Sequence, residues 1–262
     1  MKVAVLLAIS LAACARQASR PANEVEAAAA AEKAAPPAAK PFVEDEKNDL
    51  IDFHFGWSAE AAAVPQLVQR FWAEMAKVKA ELLTNATAGK GERDKQGFPF
   101  NSYSSSTDYP TAGATARLLS LTAEVSSYTG GAHGNYGSRG LLWDRRLGKQ
   151  IEVAALFTAA ENMERLLTQP WCDALNKARE EKRGEPVGGG GMFDECPKLS
   201  EISIIPTDKG GNGRFERLEL IADPYVAGPY VEGSYEIELP VNDDLMSAIR
   251  SDYRENFEVQ PQ

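Results

Sequence analysis

Apolar and polar positions alternate along several stretches of the chain, and each alternation predicts a strand. Ile51, Phe53, Phe55 and Trp57 alternate with Asp52, His54 and Gly56. That pattern gives a strand with one strongly apolar face, and His54 reads as a solvated residue on the other. Leu119, Leu121, Ala123 and Val125 alternate with Ser120, Thr122, Glu124 and Ser126; Arg139 to Trp143 reads as the next strand, Asp144 to Gly148 as a turn, and Gln150 to Val153 as a short strand. Ile202 with Ile204, and Leu218 with Leu220 and Ala222, flank Asp208 to Gly213, whose composition is that of a tight turn. The last strand carries Tyr235, Ile237 and Leu239.

Other stretches follow the helical period. Pro65 opens a helix where a missing N–H costs nothing, with Leu67, Phe71, Val78 and Leu82 as a core stripe broadened by Trp72, Met75 and Leu83. Thr158 to Glu161 reads as a capping box opening a helix to about Thr168, which Pro170 ends or kinks before a second helix bearing Trp171, Leu175 and Ala178. Glu180 to Arg183 reads as its solvated end. Asp243 or Asp244 caps a terminal helix with Leu245, Ile249 and Tyr253 on one side. Asn85 to Thr115 is polar and reads as a long loop, with a short strand around Pro99 to Tyr103. Its Tyr103, Tyr109 and Ser104 to Ser106 belong either to a binding surface or to a plain loop. The element order predicts an α+β fold of largely antiparallel sheets with packed helices, in two subdomains, 42–116 and 117–257, before a tail at 258–262.

The N-terminus changes the picture of where this body sits. Residues 1–13 have a positive Lys2 and an apolar run too short to span a bilayer, and Leu11-Ala12-Ala13-Cys14 fits a lipobox that makes Cys14 the acylated first residue of a lipoprotein. Ala15 after the cysteine favours the outer membrane of a Gram-negative envelope, with the body facing the periplasm. Residues 14–41, rich in Ala and Pro, read as a flexible tether. With Cys14 lipidated, Cys172 and Cys196 are an even pair in an oxidising compartment, and a disulfide is expected. The formal charge is −10, or −11 once Lys2 is removed, which argues against nucleic acid and permits a basic partner.

Candidate chemistry is sparse. There are two histidines, in no metal-ligand spacing with each other or with cysteines. No nucleophile elbow and no phosphate loop is present, so neither catalytic residues nor a metal or cofactor is assigned. Two stretches stand out instead. Ser127-Tyr128-Thr129-Gly130-Gly131-Ala132-His133-Gly134-Asn135-Tyr136 joins the two central strands. Its glycines predict a structured loop, which composition alone leaves open as a turn or a binding loop. Asp223-Pro224-Tyr225-Val226-Ala227-Gly228-Pro229-Tyr230-Val231-Glu232-Gly233 combines rigid backbone positions with two tyrosines.

These two motifs, with Trp143-Asp144, Gly148-Lys149 and Leu156-Phe157, resemble the extracytoplasmic domain of RsiV-type anti-sigma factors that sense lysozyme, over roughly Asp49 to Tyr253. The same domain resembles the accessory module of some peptidoglycan deacetylases, whose catalysis belongs to a separate domain. The resemblance implies a binding module without catalysis of its own. Its expected partner is lysozyme or a related basic hydrolase, or else the peptidoglycan glycan itself. Tyr225 and Tyr230 are the expected anchors, flanked by Tyr128 and Tyr136, with Gly130, Gly131, His133, Asn135 and Pro229 shaping the surface. Two alternatives compete: an enzyme acting on cell-wall glycan, which an acid pair of perturbed pKa near His133 would favour, and a structural envelope protein, which would show no concave aromatic surface. The membrane is reached only through the lipid anchor.

Overall fold

The computed structural model describes residues 39–260. The signal-peptide and lipobox reading, with nearly all of the tether, lies outside them. The described chain enters on β1 (Phe42–Lys47), an edge strand paired antiparallel with β2 (Ile51–Trp57) through a turn held by the Asn48 side chain. Its charged sequence gave no apolar alternation to read, but Phe42 stacks on Trp57 at 4.1 Å. A short helix, α1 (Ala59–Ala62), capped by Ser58, leads to α2 (Pro65–Gln96), which crosses over to β3 (Tyr103–Tyr109) in parallel with β2. The stretch expected to be a long loop is therefore the end of a long helix and two strands, β3 and β4 (Thr111–Ala114). Gly89, one of the glycines that suggested a loop, has a packing reason: a Cβ there would lie 2.3 Å from the Tyr103 hydroxyl. Gly97 ends α2 in the left-handed conformation.

β5 (Leu118–Tyr128) and β6 (Asn135–Asp144) form the long central hairpin, and β7 (Lys149–Ile151) closes the sheet. The order is β1-β2-β3-β5-β6-β7, with β4 beside the first half of β5 and β3 beside the second. After α3 (Ala160–Arg183), a three-stranded antiparallel sheet follows in the order β10-β9-β8, from β8 (Ser203–Thr207), β9 (Arg217–Ala222) and β10 (Tyr235–Pro240). The last helix is the short α4 (Asp243–Ala248). This is the expected α+β class with antiparallel pairing dominant.

Two apolar cores lie on opposite sides of β5 and β6. One packs α2 against β2, with Phe71, Leu67, Phe55 and Tyr109 buried. The other packs α3, β9 and the C-terminal segment around Trp171, Leu220 and Phe215. Leu119 and Leu121 belong to the first core and Leu118 and Leu142 to the second.

Local readings need correction. Trp72 is 45 % exposed, edge-on to Phe42 and Trp57, instead of in the core. Tyr109 is buried, stacked on Phe71 at 4.1 Å, and so lines no binding surface. α3 runs unbroken through Pro170 and has no side-chain cap; the Thr158 hydroxyl accepts from Asn162 instead. Asn242, not Asp243 or Asp244, caps α4. No helix of the described residues is long and apolar enough to cross a membrane.

The expected disulfide is present between Cys172 on α3 and Cys196. Closing this loop is worth about 3 kcal/mol in the chain-entropy model. Thiol titration of the denatured, unreduced protein is expected to find neither residue free, and reduction to lower the urea midpoint. Two titratable thiols in that assay would contradict the pairing.

Candidate functional site: an aromatic surface built from two loops

The loop at the end of the β5–β6 hairpin is shaped by close approach. The pairing of Ser127 with Asn135 closes the ladder. A Cβ at Gly134 would lie 2.9 Å from the Ser127 carbonyl oxygen, and Gly130 has φ +87°. Only glycine meets both demands without strain. The imidazole of His133 bonds through Nδ1 to the Gly134 carbonyl at 2.8 Å, so Nδ1 carries the proton.

The segment between β9 and β10 comes up against this loop from the other sheet. The Tyr230 hydroxyl donates to the same Gly134 carbonyl at 2.7 Å, and its ring stacks on His133 at 3.9 Å. Tyr136 meets Tyr230 edge-on at 5.9 Å, and Tyr225 lies 5.8 Å from it. Tyr225 holds φ +72°, the sole non-glycine residue with positive φ among the described residues. Such a backbone typically costs about 1–3 kcal/mol and persists only where its surroundings hold it. Here Tyr225 N–H donates to Gly228 and Val226 N–H to Asp223, and the strained residue presents a ring that is 55 % exposed. Asp223 also accepts from the Ser138 N–H at 2.9 Å, and a Cβ at Gly137 would lie 2.5 Å from its other oxygen, so the two loops are joined at their bases as well. Burial holds the Asp223 carboxyl above its ordinary range.

The structure thus brings His133, Tyr136, Tyr225 and Tyr230 together, with Pro229 opening the short helical turn that carries Tyr230. Gly131 and Asn135 are exposed at the loop's rim. Tyr128, half-buried and opposite Ser104, makes no ring contact with the cluster among the described residues. Val231 projects beside Tyr230 and is 90 % exposed, which no periodicity could have signalled. The end of α3 is not a free solvated end. Lys182 donates to the Glu232 and Ser234 carbonyls and Arg183 to the Glu232 carboxylate, so this end holds the second loop. Burial pushes Glu232 up, but the bonds from Arg183 and Tyr235 outweigh it and keep the carboxyl low; the Tyr235 hydroxyl is pushed up to about 12.

Beside Tyr136 the open face of the large sheet is acidic. A recess of about 390 Å³ is lined by Ser106, Asp108, Glu124, Ser126, Tyr136 and Glu236. Partial burial, with Asp108 and Glu236 nearby, raises the Glu124 carboxyl above its usual range. Asp108 is bonded by His54 Nε2 at 2.8 Å, and His54 Nδ1 reaches Asp45 at 2.6 Å. His54 is therefore a bridge between two carboxylates instead of a solvated residue. Among the described residues no three His, Cys, Asp or Glu side chains are grouped to hold a metal ion.

The bond to Asp45 raises the His54 pKa, against the opposing effect of burial, and Asp108 adds to it. A group raised in the folded state contributes stability below its unfolded value, about 6.5, and loses it as pH rises through the folded value. Urea midpoints are expected to fall in the wild type relative to His54→Gln as pH goes from 5.5 to 8.5. Parallel profiles for the two proteins would show that the bridge does not titrate in this window.

Residues 46–136 match the protein-family model described as deacetylase PdaC. The match ends on Tyr136, the last residue of the first loop motif, and leaves the second outside. The fold is that of two solved proteins of the DUF3298 family. One is from Bacteroides fragilis, with 16% identity and a TM-score of 0.51, covering 83% of this chain and 95% of that one. The other is from Pseudomonas aeruginosa, with 15% identity and a TM-score of 0.50, covering 84% and 96%. At these identities the likeness is one of fold. No curated protein matches the sequence.

Proposed function

We propose that this chain is a binding module without catalysis of its own, and that its aromatic surface takes lysozyme or a related basic cell-wall hydrolase. The observation that carries the reading is the convergence of His133, Tyr136, Tyr225 and Tyr230 from two distant loops, with Tyr225 and Tyr136 left exposed. Rigid rings on fixed backbone give contact area at low entropic cost. The acidic body supports a cationic partner, since complementary fields speed encounter and weaken with salt. The likeness of both motifs to the lysozyme-sensing domain supports the choice of partner. In this proposal Cys14 carries the lipid that holds the module at the outer membrane, facing the periplasm.

A second reading, an enzyme acting on cell-wall glycan, is favoured by the raised Glu124 beside Asp108 in the recess next to Tyr136. Calorimetric titration separates the two. The module is expected to bind lysozyme with an affinity that falls as salt is raised, and to release no product from muropeptides. Product release abolished by Glu124→Gln would replace the proposal with the second reading; binding to neither ligand would remove both.

A further inference from the structure

Arg179 is wholly buried, yet no carboxylate pairs with it among the described residues. A buried guanidinium is costly unless its five N–H donors are met. Here four bonds to neutral oxygens serve them, from two separate loops and from Asn176 on the same helix. Nε donates to the Ala227 carbonyl at 2.9 Å, Nη2 to the Glu195 carbonyl at 3.1 Å, and Nη1 to Asn176 Oδ1 at 3.1 Å and, at a long 3.5 Å, to the Asp194 carbonyl. Ala227 is itself buried and lies between Tyr225 and Tyr230. Glu195 adjoins Cys196 of the disulfide.

The helix explains how one residue reaches both. Cys172, Asn176, Arg179 and Arg183 are spaced by four, three and four along α3, which puts them in one stripe. Cys172 ties down residue 196, Asn176 steadies the guanidinium, and Arg183 holds Asp194 and Glu232. The planar fork suits this task because its donors leave in fixed directions toward different acceptors, which an ammonium does not reproduce.

We infer that Arg179 is the positioning residue of the aromatic surface, and that the Cys172–Cys196 disulfide supports it, so that reducing this bond loosens the surface. With the disulfide broken, the 194–196 segment is released on one side, although the Trp171 indole still donates to the Pro197 carbonyl. The guanidinium then shares its donors with a mobile acceptor, and its hold on Ala227 slackens. The Tyr225 backbone, kept at positive φ by its surroundings, loses part of what keeps it there. The inference rests on the aromatic surface being the binding site, but its first test needs no ligand.

Residue-resolved hydrogen exchange on the oxidised chain, the reduced chain, Arg179→Met and Arg179→Lys reads the coupling directly. Amides of Tyr225 and Val226 are expected to exchange about tenfold faster or more on reduction and in both variants, while Phe53 and Phe55 in the other core hold their rates. Reducing Arg179→Met is expected to add less than about twofold, because both changes act through one chain of contacts. Unchanged amides at Tyr225 and Val226, equal acceleration throughout the molecule, full rescue by lysine, or multiplied effects would each overturn the inference. If Arg179→Met does not fold, the reduced wild type and Arg179→Lys carry the test. In a second arm, reduction is expected to weaken lysozyme binding. No binding in either redox state would count against the proposed function and leave the exchange result standing.

Discussion

Asp144→Ala is expected to cost the protein about 3–5 kcal/mol, the range for removing one partner of a buried ion pair. Asp144 is wholly buried at the end of β6. Its carboxylate takes the Arg117 guanidinium at 2.9 and 3.0 Å, the Tyr253 hydroxyl at 3.0 Å and the N–H groups of Arg146 and Leu147. Arg117 lies in turn over the Tyr253 ring at 3.8 Å. One carboxylate thus joins the start of β5, the end of β6 and the C-terminal segment. Alanine leaves a nearly buried guanidinium, a hydroxyl and two amides without that acceptor. Burial pushes the Asp144 carboxyl up, but the bond from Arg117 outweighs it, with Leu147 and Tyr253 adding, so the folded pKa is depressed. Its contribution is present above the unfolded value, about 3.9, and is lost as pH falls through the folded one. Urea denaturation of the variant at neutral pH checks the magnitude, and a loss below about 1 kcal/mol would show that the network is dispensable.

Tyr230→Ala is expected to weaken lysozyme binding about tenfold or more, over roughly 1.4 kcal/mol, with little change in the urea midpoint. Tyr230 is the hub of the surface, touching His133, Tyr136 and Tyr225, and its hydroxyl anchors the hairpin loop. It is only partly buried and belongs to neither core. Tyr230→Phe keeps the ring contacts and loses the bond to Gly134, so a smaller loss is expected. Isothermal titration of both variants, with denaturation curves alongside, separates contact from stability. A Tyr230→Ala protein that binds normally would place the partner elsewhere.

Much of this architecture was legible because the alternation on β2, β5, β9 and β10 reflects one apolar face per strand. The reading failed where tertiary contacts override local signals. Ser120 and Thr122 are polar, yet buried, because β5 is covered on both faces. Gly89 and Gly91 look like a loop, yet lie in α2, where Tyr103 needs the space over Gly89. β1 is too charged to read as a strand, and its pairing comes from the neighbour it meets. The two loop motifs could be picked out, but their meeting in space joins residues about ninety positions apart. Arg179 sits just ahead of a charged run that looks solvated, and nothing in its spacing distinguishes a buried guanidinium from a surface one.

In the proposed function a partner binds the surface formed by the 128–136 and 223–233 loops. Hydrogen-exchange footprinting of the module with and without saturating lysozyme tests it most directly. New protection is expected, confined to these two loops and the adjoining edge of the recess at Glu124 and Glu236. Protection at the opposite end of the β5–β6 hairpin, around Asp144 and Tyr253, or no protection anywhere, would contradict it.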